Sequence, residues 1–172
     1  MKSEGLARGT VQLVPYSSQW PLAYAREATA IKEKLGPLNV IDIQHVGSTA
    51  IPGILSKPII DIAIPVSDLT VAERFAPVLA EFGYWYKGRQ PDMPNRRFFA
   101  KGSENNRTIY LHLANEEEYK NLLKFRDTLR ANKQLAEQYS QLKEKLAKDH
   151  PTNREKYTKA KDDFIKDVLA LP

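Results

Sequence analysis

Residues 45–62 read HVGSTAIPGILSKPIIDI, and they form the centre of the predicted fold. Their C-terminal part opens a β-branched run over 58–66, which is typical of a central strand covered on both faces. Before it, an alternating segment over 40–46 predicts a second strand, which ends at Gly47-Ser48-Thr49. The sequence therefore predicts two strands joined through a glycine-containing loop or short helix.

The flanking sequence predicts helices and further strands on both sides of this centre. Two helix starts are marked by capping boxes, Thr70-x-x-Glu73 and Thr152-x-x-Glu155. Apolar periodicity and glycine or proline stops predict helices over 18–35, 70–82, 116–131, 133–148 and 152–169. Strand-like segments cover 11–14, 84–89, 96–101 and 108–114.

These elements predict an α+β fold, with a mixed, mostly antiparallel sheet of about five strands, flanking helices and a C-terminal helical region. The chain has 172 residues, which favours a single domain. We expect an α+β core over 1–115 and a helical annex over 116–172 packed on it, because about 55 helical residues alone make a marginal core.

The composition excludes several kinds of site. The chain has no cysteine, which rules out disulfides, thiolate nucleophiles and cysteine-bound zinc or iron–sulfur centres. Ser48 has no recognisable His–Asp partners in sequence order, and the Walker A, G-x-G-x-x-G and G-x-S-x-G motifs are absent. No apolar run is long enough for a membrane span, and the N-terminus lacks a signal-peptide core. We therefore expect a cytoplasmic protein with no membrane partner.

The positive charge of the chain is concentrated in one segment. The formal net charge is +5, and residues 87–107 contribute +4 of it through six basic and two acidic residues. A local basic excess of this kind favours an anionic partner such as a phosphate, a nucleotide or a nucleic acid. The alternative is a solvated hairpin with basic tips, because charge runs often form only a solvated face.

The segment around Gly47 has the composition of a phosphate-binding loop. Glycine lets a ligand approach the backbone closely, free N–H groups at a helix start favour a phosphate, and the hydroxyls of Ser48 and Thr49 add donors. Asp61 then lies within an otherwise apolar strand. A carboxylate in that position needs a metal, a hydrogen-bond partner or the exposed end of the strand. The alternative is a structural aspartate bound to backbone N–H groups.

A Gly-Ser pair followed by an aspartate on a strand resembles the nucleotidyltransferase superfamily, which includes DNA polymerase beta and kanamycin nucleotidyltransferase. More narrowly, residues 45–62 resemble the signature of the GrpB-like family within that superfamily. Further segments that resemble this family lie at 11–21, 96–99, 110–113, 125–130 and 157–165. The resemblance spans nearly the whole chain, and it implies a mixed sheet with flanking helices and a pocket at the Gly-Ser loop. It implies no settled reaction.

The acidic residues depart from the pattern of active nucleotidyltransferases. Those enzymes carry Asp-x-Asp or Asp-x-Glu on this strand and a third acid on a later strand, whereas this chain has Ala63 two residues after Asp61. Two-metal catalysis needs several carboxylates, so that mechanism is unsupported. We instead expect one divalent metal, Mg²⁺ or Mn²⁺, at Asp61, with His112 as the second catalytic residue and His45 as a weaker candidate. Structural histidines in the sheet are the alternative.

Two basic residues fall inside apolar helical stripes. Arg126 lies among the apolar residues of the helix that follows residue 115, and Lys161 lies among those of the last helix. An inward-facing cation is costly unless it meets an anion. We therefore expect both to converge on the predicted phosphate loop, with Lys57 and Arg97 completing a phosphate-binding ring. The alternative is snorkelling or a structural ion pair.

Three functional hypotheses follow from these features. The first is nucleotidyl or phosphoryl transfer, with a nucleotide or other phosphate ligand at Gly47 and Ser48 and a divalent metal at Asp61. The second is a non-catalytic nucleotide- or anion-binding protein, which Ala63 favours. The third is a nucleic-acid-binding module that uses residues 87–107 and whose affinity falls steeply with salt.

Overall fold

Five strands form one sheet in the computed structural model, which describes residues 5–7, 9–40, 42–103 and 105–172. The strands are β1 (Gln44–Val46), β2 (Ile60–Pro65), β3 (Tyr84–Tyr86), β4 (Arg96–Ser103) and β5 (Asn106–Ala114). The helices are α1 (Gln19–Leu35), α2 (Val71–Ala80), α3 (Glu116–Ala131), α4 (Lys133–Asp149), α5 (Arg154–Lys159) and α6 (Asp162–Ala170). A short 3-10 turn over Ser48–Ala50 follows β1. Within the described ranges, no helix has the length and apolar character that a bilayer crossing requires.

The strand order is β1-β2-β5-β4-β3, with β2 and β5 parallel and the other neighbours antiparallel. This order confirms the predicted α+β fold with a mixed, mostly antiparallel sheet. The register places Val46 beside Asp61, Asp61 beside Tyr110, and Ala63 beside His112. Because paired residues project from the same side of a sheet, one face carries the polar residues that the sequence singled out.

The other face of the sheet builds the main hydrophobic core. Successive strand residues alternate between the two faces, so Ile62, Ile64, Leu111 and Leu113 lie on the side opposite Asp61, and all four are fully buried. Helices α1 and α2 cover this face through Trp20, Ile31, Leu35, Phe75 and Leu79. This packing holds β2 and β5 side by side and thereby fixes the polar residues on their reverse side.

The C-terminal helices cover the polar face only in part. Helix α3 contacts β1, β2 and β5, and a smaller apolar cluster joins α3, α4 and α6 to the loop after β1. This cluster consists of Ile51, Ile54, Leu129, Ala136, Tyr139 and Val168. A cavity lies between the polar face and the residues of α4, α5 and α6.

Both predicted capping boxes are wrong, because neighbouring residues take the capping role. Thr70 makes no side-chain cap, and its N–H and hydroxyl donate instead to the carboxylate of Asp68 at 2.8 and 2.7 Å. Asn153 rather than Thr152 caps α5 through its side-chain oxygen. Asn and Asp accept backbone N–H groups at least as well as threonine does, which accounts for the displacement.

Several predicted elements are shorter than the sequence indicates, among them the strand over 84–89, of which β3 covers only Tyr84–Tyr86. The predicted helix over 152–169 is divided into α5 and α6. The predicted strand over 11–14 is reduced, among the described residues, to a single bridge at Val14. Only the end of the predicted strand over 40–46 is β1, and Ile41 lies outside the described residues.

Candidate functional site

The cavity on the polar face has a volume of about 920 Å³, which is enough for a small-molecule ligand. The loop after β1 lines it with Gly47 and Ser48, and β2 contributes Asp61. Tyr110 and His112 of β5 also line the cavity, together with residues of α3, α4, α5 and α6. The cavity therefore opens at the motif that the sequence singled out.

Gly47 brings the loop after β1 against the Asp61 carboxylate. Its φ is +69°, a left-handed conformation that favours glycine, and a Cβ atom there would lie 2.6 Å from Oδ2 of Asp61. The antiparallel pairing of Val46 with Asp61 sets this close approach. The side chain of the next residue, Ser48, lies beside the hydroxyl of Tyr139 of α4. Gly47 and Asp61, which are fourteen residues apart in the motif, are thus in direct contact in the fold.

Asp61 and His112 form a hydrogen-bonded pair across β2 and β5. Oδ1 of Asp61 lies 2.9 Å from Nε2 of His112, which is 7% exposed. Burial acts to raise the pKa of Asp61, but the hydrogen bond and charge of His112 and the charge of Lys57 hold that pKa below its ordinary value. Burial lowers the pKa of His112 despite the carboxylate beside it. At neutral pH the aspartate is therefore ionised and the histidine neutral, with Nε2–H donating to the carboxylate.

Two lysines, Lys57 and Lys161, face the same ring of Tyr157, and we call them the lysine pair. Their Nζ atoms lie 5.4 and 4.5 Å from the ring centroid. Burial lowers the pKa of Lys161 to about 8. Burial, with repulsion from Arg154 and Lys161, also lowers the pKa of Lys57 well below its ordinary value. The cavity therefore holds these cations at an electrostatic cost.

A third lysine, Lys143 of α4, is 1% exposed. Its ammonium group donates to the carbonyl of Leu55 and lies 4.7 Å from the ring centroid of Tyr139. The hydroxyl of Ser140 accepts from the N–H of Leu55 at 3.0 Å. Burial lowers the pKa of Lys143 to about 7. Through Ser140 and Lys143, helix α4 thus fixes the backbone of Leu55, which lies in the segment between the Gly-Ser turn and β2.

Two arginines, Arg107 of β5 and Arg154 of α5, meet at the hydroxyl of Tyr110, and we call them the arginine pair. They donate to this oxygen at 3.3 and 2.8 Å. Arg154 also lies over the Tyr110 ring, 5.1 Å from its centroid, and Lys87 lies 5.4 Å from the same centroid. Because Tyr110 is paired with Asp61 in the sheet, the arginine pair is close to the Gly47–Asp61 contact.

Most of the predicted site residues come together in this cavity. It is lined by Gly47, Ser48, Thr49, Lys57, Asp61, His112 and Lys161. The hydroxyl of Thr49 is engaged by His45, however, whose Nε2 lies 3.0 Å away. His45 itself projects to the opposite face and stacks on Tyr24 at 4.9 Å between ring centroids. Burial lowers the pKa of His45 to about 4, so it is a neutral structural residue and not a neighbour of the cavity.

The structure does not bring Arg97 to the cavity. Arg97 alternates with Phe98 along β4 and lies on the core face of the sheet. Its guanidinium donates to the carbonyls of Pro94 and Arg96 at 3.1 and 3.0 Å. The alternation of the strand was predictable, but which of its faces meets the cavity depends on the helices that cover the sheet.

Arg126 is also placed elsewhere, where it joins α3 to β1. Its guanidinium donates to the carboxylate of Asp127 at 2.7 and 3.0 Å, to the side-chain oxygen of Gln44 at 3.0 Å and to the carbonyl of His45 at 2.9 Å. The expected convergence of Arg126 with Lys161 is therefore wrong. Arg126 instead forms a structural ion pair with Asp127, which was the alternative expectation.

Three further basic residues line the cavity that were not among the predicted site residues: Arg107, Lys143 and Arg154. Lys143 carried a usable signal, because it falls in the buried stripe of α4 with Tyr139 and Leu146. Arg107 carried only the general signal of the basic segment over 87–107, and Arg154 carried none, since their meeting depends on how β5 and the short α5 are packed against each other.

The donors in the cavity do not fit a two-metal centre. Within the described ranges, no group of three or more His, Cys, Asp or Glu side chains could hold a metal ion. Ala63 is fully buried where the second acid of active nucleotidyltransferases would lie, and Oδ1 of Asp61 is bonded to His112. A single Mg²⁺ is often held by one carboxylate together with substrate phosphates, and Asp61 fits that smaller role.

Sequence comparison matches residues 10–171 to the family described as "GrpB protein". A UPF0157 protein of Halalkalibacterium halodurans is 33% identical over 160 residues, which cover 93% of this chain and 81% of that relative. A UPF0157 protein of Bacillus subtilis is 36% identical over 159 residues, which cover 91% of this chain but only 45% of that relative.

Solved structures share the fold. The crystal structure of conserved protein GrpB from Enterococcus faecalis has a TM-score of 0.82 at 32% identity, and the match covers 92% of this chain and 94% of that one. A crystal structure of the Cid1 poly(U) polymerase with MgGTP bound has a TM-score of 0.51 at 14% identity, covering 78% of this chain and 44% of that one. The second likeness shows a shared fold and no more.

Proposed function

The chain belongs to the GrpB family, and from this premise we propose that it binds a nucleotide or another phosphate-bearing small molecule in the cavity beside Gly47 and Ser48. One observation carries the proposal. Lys57, Lys143 and Lys161 line the cavity, and none of them forms an ion pair with a described carboxylate.

The energetics of these lysines favour an anionic ligand. Burial and repulsion from neighbouring cations lower their pKa values in the ligand-free protein. A phosphate beside them would supply the missing counter-charge and relieve the repulsion. The nearby Asp61 carboxylate forms an ion pair with neither member of the lysine pair within the described residues, and its charge offsets only part of the effect that lowers their pKa values.

Calorimetry with matched variants tests this proposal. ATP, AMP or inorganic phosphate should bind the wild type, and a ligand at about 100 times its dissociation constant should stabilise it by about 2.7 kcal/mol. Lys161→Met should weaken binding at least about tenfold. Lys156→Met removes the same charge from exposed α5 outside the cavity and should leave binding unchanged. If no phosphate-bearing ligand binds, or if both variants behave alike, the proposal fails.

Nucleotidyl or phosphoryl transfer is the narrower form of this proposal. A divalent ion, Mg²⁺ or Mn²⁺, would be held by Asp61 and by the phosphates of the ligand, and it would polarise a phosphoryl oxygen. His112 is then the second catalytic candidate, because it orients the carboxylate through their hydrogen bond. Non-catalytic binding is the simpler form, and it needs no ion.

Asp61→Asn separates these two forms. If Asp61 holds the ion, Mn²⁺ should strengthen ATP binding to the wild type by about tenfold, or about 1.4 kcal/mol, and should not strengthen it in the variant. Binding without metal should be kept or become tighter in the variant, because a negative charge near the phosphates is gone. Titrations with Mn²⁺ and with EDTA measure both effects. An equal response to Mn²⁺ in the two proteins would remove Asp61 from the metal site.

The nucleic-acid hypothesis has weaker support, because the basic segment over 87–107 does not form one surface. Arg96 and Arg107 line the cavity, whereas Arg97 and Lys101 lie on the opposite face of the sheet. Lys101 is also paired with Glu27 at 2.7 Å. A steep loss of oligonucleotide affinity with salt would favour this hypothesis over small-molecule binding.

A further inference from the structure

Arg107 is a buried cation in the cavity wall without an acidic partner in the described ranges. Its side chain is 5% exposed, it lines the cavity, and it stacks over the ring of Trp85 at 5.6 Å from the centroid. Its hydrogen-bond partner is the neutral hydroxyl of Tyr110, and its buried Nε has no partner within the described residues. A guanidinium carries five N–H donors and a full charge, so most of its binding capacity is unused.

Arg154 brings a second guanidinium to the same point. It donates to the same hydroxyl at 2.8 Å and forms no ion pair with a described carboxylate. Two guanidiniums that share one neutral oxygen repel each other, and burial increases that cost. A doubly charged anion between them would satisfy the remaining donors, because the planar fork of arginine matches phosphate oxygens.

The arginine pair and the lysine pair meet at α5. This helix carries Arg154 of the arginine pair and Tyr157, whose ring both members of the lysine pair face. Residues three apart on a helix have Cβ atoms roughly 5–6 Å apart. Both pairs line the same cavity. A single ligand of nucleotide size can therefore contact both pairs at once.

We propose that the arginine pair is a second phosphate subsite, so that the ligand of this cavity carries at least two phosphoryl groups, one at the lysine pair and one between Arg107 and Arg154. This inference rests on the proposed function and narrows it to polyphosphorylated ligands. Two sources share the chemistry: the polyphosphate tail of a nucleoside di- or triphosphate, and the separate phosphates of a nucleoside 3′,5′-bisphosphate.

Calorimetry with AMP, ATP, tripolyphosphate and adenosine 3′,5′-bisphosphate tests the second subsite. At least one ligand with more than one phosphoryl group should bind the wild type about tenfold more tightly than AMP does. Arg107→Lys, which keeps the charge but loses the fork, and Arg154→Met should each reduce that advantage, because they weaken the ligand with more than one phosphoryl group more than they weaken AMP. Lys156→Met on the same helix is the matched control and should keep the advantage.

The pattern across ligands identifies the source of the second phosphate. If tripolyphosphate and ATP lose affinity in the arginine variants, the polyphosphate tail spans both pairs. If adenosine 3′,5′-bisphosphate alone loses affinity, the two phosphates are on opposite sides of a ribose.

Other outcomes overturn the inference. If AMP binds as tightly as every ligand with more phosphoryl groups, the proposed function stands and the second subsite does not exist. The same conclusion follows if the arginine variants weaken AMP as much as ATP. If no probe binds the wild type, both proposals fail. Arg154 is only partly buried, so Arg154→Met keeps the test valid if melting curves show that Arg107→Lys does not fold.

Discussion

The carboxylate of Asp61 occupies the space that a side chain at position 47 would need. We expect Gly47→Ala to lower the free energy of unfolding by about 2–5 kcal/mol, from a strained φ and a clash with the carboxylate. Gly53 has a φ of +84° and nothing within 4 Å of the added Cβ, so Gly53→Ala should cost only the backbone strain, about 1–3 kcal/mol. Urea denaturation of both variants measures the difference, and equal losses would contradict the role of the Asp61 contact.

At the same scale, His45 makes the stability depend on pH. Burial lowers its pKa to about 4 in the folded protein, against about 6.5 in an unfolded chain. Between these values the unfolded chain binds a proton that the folded protein does not. The free energy of unfolding should therefore fall as pH decreases from about 6.5 to about 4, by up to about 3 kcal/mol. His45→Gln should flatten this part of the pH profile, and an unchanged slope would show that other groups cause it.

Single residues of the site could be predicted where the motif fixes a contact. Gly47 and Asp61 are such a pair, because a short antiparallel pairing determines their approach. For Arg97 and Arg107, the sequence does not indicate which of the two residues lines the cavity. Both belong to the basic segment, but they lie on opposite faces of the sheet, and local sequence does not state which face is covered by the C-terminal helices.

At the scale of elements, Arg126 connects α3 to the edge strand β1. Its removal should destabilise the protein by about 1–3 kcal/mol, because buried acceptors lose a charged donor. Arg126→Met should leave phosphate affinity unchanged, in contrast to Lys161→Met. Lys120→Met, on the exposed face of the same helix, should change stability by less than about 0.5 kcal/mol. Loss of ligand affinity in a folded Arg126→Met variant would contradict this structural role.

Helix positions were easier to predict than helix surroundings. The bounds of α3 agree with the apolar periodicity, and both Arg126 and Lys161 fall in apolar stripes. The stripe of α3 meets β1, however, while Lys161 meets the cavity at the junction of α5 and α6. No glycine or proline marks that junction, so the division of the last helix had no local signal. Tertiary packing therefore determines both what the apolar stripes contact and where the last helix is divided.

For the molecule as a whole, the cavity lysines couple pH to both binding and stability. Burial lowers the pKa of Lys161 to about 8, and a bound phosphate should raise it again. Binding therefore takes up a proton above pH 8, and ATP affinity should fall as pH rises, by at most about tenfold per pH unit. The ligand-free protein should change in the opposite sense and gain stability from about pH 8 upward, because its unfolded chain keeps the proton.

Lys161→Met should reduce both pH effects. Calorimetry at several pH values measures the first, and melting curves of the ligand-free protein measure the second. An ATP affinity that stays constant between pH 8 and 10 would show that Lys161 does not contact the ligand.

The single-domain organisation, with a core over 1–115 and an annex over 116–172, stays a prediction. The α+β class and the mixed, mostly antiparallel sheet of about five strands followed from patterning and from the family resemblance, whereas the strand order is seen only in the structure. The cavity itself could not be predicted in its full composition, because α4, α5 and β5 meet there only after folding.

The distribution of strand lengths affects how molecules of this protein meet one another. The two edge strands, β1 and β3, have three residues each, whereas β4 and β5, with eight and nine residues, lie inside the sheet. A short edge exposes few unpaired N–H and C=O groups to a strand of another molecule. At high concentration, the folded protein should therefore resist the edge-to-edge pairing that leads to fibrous aggregates.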